Sequence, residues 1–528
     1  MNNKQSSQPL QQNKQSSDPH NSALHSSLQD NIQQVKKMLG NSSDIIIREI
    51  EIGSTELIRA GIFYTDGLTD TPSIQNFIKE SLLCDIHANL DQSISSEQNV
   101  LGLLKNRFLG VGEIQDVTDI NSLLSSLLSG DVVLLLDGCT QGFAIGMRGG
   151  KDRGVMESTT ESVIRGPKEG FTENMRTNAA LIRRKIKDSR LWMETKSIGR
   201  VTHTDVAVMY IKGIVNDKIL EEVHTRLDRI DIDGILESGY IEELIQDETY
   251  TPFPTVYYSE RPDVIAAELL EGKVAIIVDG TPNVLIVPAL FISFTHAAED
   301  YYQRADISSL IRIIRYISMF VALLAPSLYI AVTTFHQEML PTQLLIGLAA
   351  QREGVPFPAF IEALMMEVAF EVLREASLRM PKAIAQAISI VGTLVIGTAA
   401  VEAGVVSAVM VIVVSITAIS SFVLPAFPMS MSFRMLRFPM MGLAASFGLF
   451  GIILGVIALV LHLCSLRSFG VPYMSPLAPF IKADNKDTII RVPWWGMFSR
   501  PRLINQKNIV REQNNAPSPE APQNNSGG

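Results

Sequence analysis

The stretch that decides the fold is residues 316–335, YISMFVALLAPSLYIAVTTF, which contains no charged side chain. A helix needs about 20 mainly apolar residues to cross a bilayer core. Residues 404–424 and 440–463 are also free of charge. The sequence before residue 309 has the mixed character of a soluble protein. We therefore expect an aqueous N-terminal region joined to an α-helical membrane domain, residues 309–465.

Four spans are predicted in this domain, at about residues 316–335, 383–401, 404–424 and 440–463. Only Glu402 and Ala403 separate the second span from the third, which predicts a tight hairpin. Glu402 is either a buried functional acid or the residue that turns the chain in headgroup water. Gly451 and Gly455 have the small-xxx-small spacing that lets helices approach closely, either between subunits or within one bundle.

Residues 358–379, PAFIEALMMEVAFEVLREASLR, fit neither water nor lipid. At the helical period, one face carries Glu367, Glu371, Arg374 and Glu375. Charged groups at membrane depth usually face one another or a water-filled cavity. The segment is therefore a candidate pore-lining or gating helix, whose acids would favour cations. The alternatives are an amphipathic helix in the membrane interface and a cytoplasmic helix with Glu–Arg pairs.

An internal repeat marks the soluble region. Residues 130–138 read GDVVLLLDG and residues 272–280 read GKVAIIVDG, each a short apolar run closed by Asp-Gly. Such a run predicts a buried strand that ends in a turn. Upstream, YTDGLTD at 64–70 is echoed by YIKGIVND at 210–217. We predict two duplicated α/β subdomains, at 44–150 and 195–308; the alternative is chance similarity between two core strands.

A basic helix is predicted between the two subdomains, within a linker region at 151–194. One apolar face is formed by Met175, Ala179, Ile182 and Ile186. Basic residues cover much of the rest of the helix, which suits contact with a partner subunit or a membrane, or a solvated linker. The basic residues are Arg176, Arg183, Arg184, Lys185 and Lys187.

Composition limits the remaining possibilities. The chain has 528 residues and a formal net charge of −10, so we expect no nucleic-acid partner. Residues 1–43 are rich in Gln, Asn and Ser and are predicted to be disordered, as is the tail 466–528 from about residue 506. No secretory leader is visible, which favours a cytoplasmic N-terminal region. No catalytic motif or metal-ligand spacing appears, so no enzyme activity, metal or cofactor is expected.

Three long segments resemble one family. They are ESVIRGPKEGFTENMRTNAALIRRKI from residue 161, PTQLLIGLAAQREGVPFPAFIEALMMEVAFEVLREA from residue 341 and VPYMSPLAPF from residue 471. All three are similar to signatures of the GerA-type spore germination proteins, the A subunits of nutrient germinant receptors. The resemblance extends over roughly residues 44–503 and leaves out the Gln/Asn-rich ends.

The resemblance implies a multi-pass protein of the spore inner membrane. Such an A subunit acts with a transporter-like B subunit, which binds the nutrient, and with a lipoprotein C subunit. It is expected to form a homo-oligomer, a pentamer, that conducts monovalent cations when nutrient binds. On this chain, Glu367 and Glu371 would then face the pore. A non-conducting scaffold is the main alternative, and a secondary transporter is less favoured because the visible repeat lies outside the membrane block.

Overall fold

The computed structural model describes residues 23–52, 58–76, 113–149, 161, 163–381, 392, 395–504 and 508–511. The chain forms two compact units. The first consists of residues 1–154 and 176–194, and the second of residues 155–175 and 195–528.

The first unit contains a five-stranded sheet in the order β1-β2-β4-β5-β3. All four pairings are antiparallel. The strands are β1 (Ile45–Ile52), β2 (Ile58–Thr65), β3 (Ile114–Val117), β4 (Val132–Leu136) and β5 (Gly142–Ile145). Its helices are α1 (Leu28–Met38), α2 (Thr71–Asn76), α3 (Ile120–Leu128) and α4 (Met175–Lys185).

Alternate residues of the central strands fill separate cores on the two faces of the sheet, as the two-residue period of a strand requires. Ile62 and Leu134 pack on one face, while Phe63 and Val133 pack on the other together with α1 and α3. Both faces are therefore covered, which explains why β4 is an unbroken apolar run.

Helix α1 lies inside the segment predicted to be disordered, so that prediction was wrong from residue 28 onward. Leu28, Ile32 and Val35 form a buried stripe, and Ser27 caps the helix by accepting a hydrogen bond from Asp30 N at 3.3 Å. The overall Gln/Asn/Ser composition concealed this stripe, because a helix needs only one apolar face to join a core.

Another five-stranded sheet, in the order β6-β7-β9-β10-β8, follows along the chain, and apart from the first residues of β6 it belongs to the second unit. Its strands are β6 (Leu191–Ile198), β7 (Thr204–Ile211), β8 (Tyr257–Ser259), β9 (Val274–Val278) and β10 (Val284–Val287). The accompanying helices are α5 (Asp217–Asp228), α6 (Ser238–Ile245) and α7 (Pro262–Leu270). The predicted linker does not stand apart from the domains, since most of α4 belongs to the first unit and β6 begins at Leu191.

The two sheets place the repeated motifs in matching positions. Strands β4 and β9 each occupy the third place in their sheet and are buried throughout. Each is followed by a glycine with positive φ, Gly138 at 87° and Gly280 at 92°. The two buried strands predicted from the sequence are confirmed, and the antiparallel pairing is a feature that the sequence did not reveal.

The rest of the second unit is mainly helical. It contains α8 (Ala305–Thr334), α9 (Thr342–Arg352), α10 (Ala359–Arg379), α11 (Ala408–Phe422) and α12 (Phe427–Ser465). A π-helical turn, Val395–Ala399, and the short helix Ala400–Glu402 precede α11. The core of this region joins α8, α10, α11 and α12 through Leu323, Ala363, Met410 and Met441, among others.

Helix α12 is interrupted at Gly448, whose φ of 60° and ψ of −141° are not helical. A Cβ on Gly451 would lie 2.3 Å from Leu443 O, and one on Gly455 would lie 2.6 Å from Met440 Sδ. Residues 8 and 15 apart in a straight helix do not meet. The chain therefore reverses at Gly448, in the middle of the predicted span 440–463, and forms two arms rather than one crossing.

Two helices in the described residues are long and apolar enough to cross a membrane, Ala305–Thr334 and Phe427–Ser465. The first contains the predicted span 316–335. Helix α11 coincides with the span predicted at 404–424 but has only 15 residues. Most of the span predicted at 383–401 lies outside the described residues.

Candidate functional site

Helix α10 carries three acids into the interior of the helical region. We call Glu362, Glu367 and Glu371, with Arg434 and Arg437 of α12, the charge seam. Glu362, Glu367 and Arg437 are almost completely buried. The part of the predicted polar face that holds Glu367 and Glu371 therefore packs against the protein, because these acids pair with arginines on a neighbouring helix.

The pair formed by Glu367 and Arg437 is the most buried part of the seam. Arg437 Nη1 contacts Glu367 Oε2, and Arg437 Nε donates a hydrogen bond to Ala322 O of α8 at 2.8 Å. This arginine thus holds α8, α10 and α12 together. Among the described residues, Glu367 Oε1 and Arg437 Nη2 have no hydrogen-bond partner. Buried polar atoms of this kind are usually satisfied by ordered water.

The pair formed by Glu371 and Arg434 lies one turn further along α10 and is partly exposed on the surface of the chain. Arg434 Nε donates to Glu371 Oε1 at 2.9 Å, and the two side chains are 11% and 23% exposed, respectively. Next to it, the Arg374 guanidinium lies 4.6 Å from the ring centre of Phe422, a cation–π contact. The seam thus runs from the buried interior toward the surface of the chain.

Glu362 forms the inner end of the seam and was not among the residues singled out from the sequence. Its Oε1 accepts hydrogen bonds from Ser407 N, at 2.6 Å, and from the Ser407 hydroxyl. Ser407 is also the N-cap of α11, so the carboxylate lies at a helix N-terminus, where negative charge is stabilised. Glu362 and Glu367 both face inward, although they are five residues apart. A search for acids spaced four residues apart on one helical face therefore misses Glu362.

Two other predicted acids lie outside the seam. Glu375 forms an exposed i,i+4 pair with Arg379, with 2.6 Å between carboxylate and guanidinium. Glu402 is exposed at the end of the short helix that precedes α11. The structure therefore brings together Glu367, Glu371 and Arg374 and leaves Glu375 and Glu402 apart from them.

The predicted subunit-contact arginines of α4 have different environments. Arg176 is exposed and pairs with Asp66 at 2.9 Å. Arg184 is also exposed. Arg183 is fully buried, with Nη2 donating to Asp44 Oδ1 at 2.8 Å and to Ser42 Oγ at 2.9 Å. The prediction that Arg183 offers a contact surface was wrong, because Asp44 draws its guanidinium into the first unit.

The two glycines predicted to mediate helix contacts make those contacts within this chain. Gly451 and Gly455 lie against Leu443 and Met440 of the other arm of α12. Their small size is thus used for packing at the reversal, and a contact between subunits stays a prediction.

A second charge cluster joins α8 to the segment that follows α12. Arg312 Nε and Arg315 Nη1 contact Asp300 Oδ2 at 3.0 and 2.6 Å, and Arg312 Nη1 contacts Asp487 Oδ1 at 2.7 Å. Burial alone would raise the pKa of Asp300, but the arginines outweigh it and hold this pKa below its usual value. We call these four residues the junction cluster.

Comparison with known proteins gives consistent matches over nearly the whole chain. The family described as "Bacillus/Clostridium GerA spore germination protein" matches residues 33–503. Spore germination protein KA of Bacillus subtilis (strain 168) is 49% identical and covers 94% of this chain and 90% of its own length. A second protein of that organism, called uncharacterized membrane protein YfkQ, is 44% identical and covers 94% of this chain and 95% of its own length.

One solved structure is also similar. It is the crystal structure of the N-terminal domain of the A subunit of the Bacillus megaterium spore germinant receptor GerK3. The sequence identity is 45%, the match covers 52% of this chain and 98% of that one, and the TM-score is 0.42.

Proposed function

This chain belongs to the GerA family of spore germination proteins, and we propose that it is the A subunit of a nutrient germinant receptor. In this proposal it is a multi-pass protein of the spore inner membrane. It forms a homo-oligomer, a pentamer, that conducts monovalent cations. A transporter-like B subunit binds the nutrient, and a lipoprotein C subunit completes the complex. The matching strand orders of the two sheets support a duplicated α/β region as part of this subunit.

The charge seam is the observation that carries the channel proposal. Ionisable groups inside an apolar helical region are costly, and they commonly mark ion pathways. The seam combines buried carboxylates with polar atoms that water would satisfy, and its outer pair is partly exposed on the surface of the chain. Large apolar side chains of the long helices are exposed, among them Phe320, Phe447 and Phe450, as expected for a lipid-facing surface.

We further propose that the seam gates the channel. In the arrangement described above, Glu367 and Glu371 are occupied by arginines of α12, so α10 is held against α12 and offers few free charges to an ion. Opening would separate α10 from α12 and turn these carboxylates toward the path. Nutrient binding can drive this change only if it favours the open state over the closed one.

Contacts at the two ends of the helical region support a single membrane orientation. After α12, Ser468 Oγ donates to Thr255 O at 2.7 Å, and Phe291 N donates to Tyr473 O at 2.9 Å. Helix α8 begins shortly after Phe291. The chain therefore enters and leaves the helical region beside the same α/β domain, which supports an even number of crossings. With a cytoplasmic N-terminal region, the C-terminal segment is cytoplasmic too.

The test is potassium release from spores whose only copy of this chain carries Glu371→Gln. The stimulus is a mixture of amino acids and sugars that releases potassium from wild-type spores. Because the substitution weakens the pair that holds α10 against α12, we expect release at a lower nutrient concentration or without nutrient. Glu371 is preferable to Glu367, because breaking a fully buried pair costs about 3–5 kcal/mol and threatens folding.

Glu375→Gln is the matched control, since it is the same change on the same helix at an exposed pair. It should leave release unchanged. The double variant Glu371→Arg with Arg434→Glu restores the pair with reversed polarity and should restore the wild-type nutrient threshold. If Glu371→Gln releases potassium as wild type does at equal protein level, the seam lies outside the ion path.

A non-conducting scaffold is the second candidate. One observation favours it: the three acids of the seam all have partners within the same chain, as in a purely structural network. Ion flux through the purified chain in liposomes separates the two candidates. Saturable, substrate-specific counterflow would instead indicate a secondary transporter.

A further inference from the structure

An exposed apolar patch lies in the segment that follows the last helix. Five large apolar side chains within residues 489–498 are between 42% and 61% exposed. We call them the tail patch: Ile489, Ile490, Trp494, Trp495 and Phe498. Exposed apolar side chains are ordinary when they are scattered singly, but a dense group of them usually marks a contact surface.

The backbone of the tail patch is fixed to the start of the helical region. Arg491 is buried, and its Nη1 donates hydrogen bonds to Asp300 O and Gln303 O, both at 2.9 Å. Trp494 Nε1 donates to Tyr301 O at 3.3 Å, and the two ring centres are 6.0 Å apart. The exposed side chains therefore extend from an ordered base rather than from a loose tail.

A further hydrogen bond places the tail patch beside the first turns of α8. Arg491 N donates to Ser309 Oγ at 3.1 Å. The sequence neighbours of these two residues, Ile490 and Leu310, are 61% and 60% exposed. The patch therefore lies at the level where α8 enters the helical region.

The exposed apolar face of α8 continues from this level into the helical region. Leu310, Ile314, Ile317 and Phe320 are all exposed and lie toward one side of the helix. In the membrane placement proposed above, this face contacts lipid tails. Residues beside its first turns then lie in the headgroup layer.

The chemistry of the segment fits that layer. Tryptophan is enriched at membrane–water interfaces, because its ring is apolar and its N–H is polar. Residues 480–502 contain five basic and two acidic side chains. Asp487 pairs with Arg312, and Asp484 accepts a hydrogen bond from Arg502 N, whereas the side chains of Lys482 and Arg502 are exposed. The net positive charge suits anionic headgroups.

We propose that the tail patch is a membrane-contact surface, with Trp495 and Ile490 in the headgroup layer of the leaflet on the side of the α/β domain. This inference rests on the proposed membrane placement of the helical region. Lipid fits the patch better than a second protein does, since one bilayer covers the patch with headgroups and the exposed face of α8 with tails. The membrane surface would then hold the segment that is tied to the start of α8.

Quenching of tryptophan fluorescence by brominated lipids tests the proposal on the full chain in nanodiscs. The wild-type emission minus that of Trp495→Phe isolates the contribution of Trp495. Bromine is placed either near the headgroup or near the end of the lipid tail. We expect the shallow bromines to quench Trp495 about twofold or more strongly than the deep ones, as for a residue at the interface.

The other results would overturn the proposal. Emission from Trp495 that acrylamide quenches and neither lipid quenches would place this residue in water. Emission protected from acrylamide and from both lipids would place it against protein, as in a contact with another subunit.

A reporter on α8 separates this inference from the membrane placement itself. Phe320→Trp, made in the Trp495→Phe chain, lies ten residues beyond Leu310, or about 15 Å along the helix axis. It should be quenched mainly by the deep bromines. Quenching of this reporter without quenching of Trp495 would overturn the tail-patch inference alone. Absence of quenching at both positions would overturn the membrane placement as well.

Val201→Trp, also in the Trp495→Phe chain, is the matched control at an exposed position. Val287, at the end of β10 that leads toward α8, pairs with Val274, whereas Val278 at the other end of β9 pairs with Val206. The turn that contains Val201 therefore lies beyond the far end of β9, about 17 Å along the strand. Neither lipid should quench it. Equal quenching of Val201→Trp and Trp495 would contradict the proposal.

Discussion

A buried guanidinium, that of Arg183, forms an ion pair inside the first unit. Arg183 is enclosed with Asp44 and Ser42 and joins α4 to the start of β1. Arg183→Ala would leave the Asp44 carboxylate buried without its cation. We expect this change to lower the free energy of unfolding by about 3–5 kcal/mol. Urea unfolding of the detergent-solubilised chain, followed by circular dichroism, measures the loss.

Arg176→Ala is the control for that prediction, on the same helix. Arg176 is 71% exposed and pairs with Asp66 in solvent, so its loss should cost less than about 1 kcal/mol. Equal losses for the two variants would mean that the Arg183 pair contributes no more than a surface pair.

The reversal in α12 depends on a residue without a side chain. Gly448 has φ 60°, and a Cβ there would lie 2.8 Å from His336 Cε1 and 3.1 Å from Phe335 Cβ. Gly448→Ala therefore combines an unfavourable backbone conformation with a clash and should destabilise the chain by about 1–3 kcal/mol. Thermal unfolding in detergent measures this, with Gly442→Ala as the control, because Gly442 is helical and has open space around its Cα. A melting temperature equal to that of the control would contradict the prediction.

Among the elements, the beginning of α8 is held by charge rather than by apolar packing. Asp300→Asn would leave Arg312 and Arg315 buried with one carboxylate fewer between them. We expect a loss of about 3–5 kcal/mol and easier proteolysis between the α/β domain and α8. Limited trypsin digestion of the chain in detergent, with cleavage sites identified by mass spectrometry, shows where the structure opens.

Asp306→Asn is the matched control for this element. Asp306 lies in the first turn of α8, is 63% exposed and pairs with Arg304 in solvent. Its digestion pattern should equal that of the wild type. If Asp300→Asn also gives the wild-type pattern, the junction cluster does not hold α8 in place.

The sequence predicts elements better than it predicts their partners. Strands β4 and β9 and helix α10 follow from short apolar or amphipathic patterns, which depend only on neighbouring residues. The partner of Glu367 is Arg437, 70 residues away, and no local pattern indicates that pairing. The prediction of pore-facing acids rested on the local pattern and on the family resemblance, and neither indicates which residue pairs with Glu367. The sequence did contain a useful signal. Arg434 and Arg437 lie within an apolar stretch, where charged side chains usually pair with groups of opposite charge.

On the scale of the whole molecule, His296 makes stability depend on pH. Its pKa falls from 6.5 to about 4, chiefly through burial. Between these values the unfolded chain binds a proton that the folded chain does not, so stability decreases as pH falls through this range. The loss should approach about 3 kcal/mol at pH 4. His296→Gln should lessen this dependence, as measured by urea unfolding in detergent at pH 7 and pH 4.5.

Comparison of the wild type with His296→Gln separates the contribution of His296 to the pH dependence of stability from contributions of opposite sign. Burial raises the pKa values of Glu161 and Glu242 to about 7. Their contribution to the free energy of unfolding therefore decreases as pH rises toward 7. Their effect is common to both proteins and cancels in the difference. Identical pH dependence in the wild type and His296→Gln would exclude His296 as the source.

The contacts between the α/β domain and the segment after α12 also determine when the second unit can finish folding. Arg511 and Glu271 are separated by 240 residues, and Ser468 and Thr255 by 213. A ribosome releases these segments long after the sheet residues, with the helical region made in between. The domain therefore remains incomplete during synthesis until the last helix has emerged and returned. Translation that stops before residue 468 should yield a chain whose second sheet lacks part of its cover and is exposed to quality-control proteases.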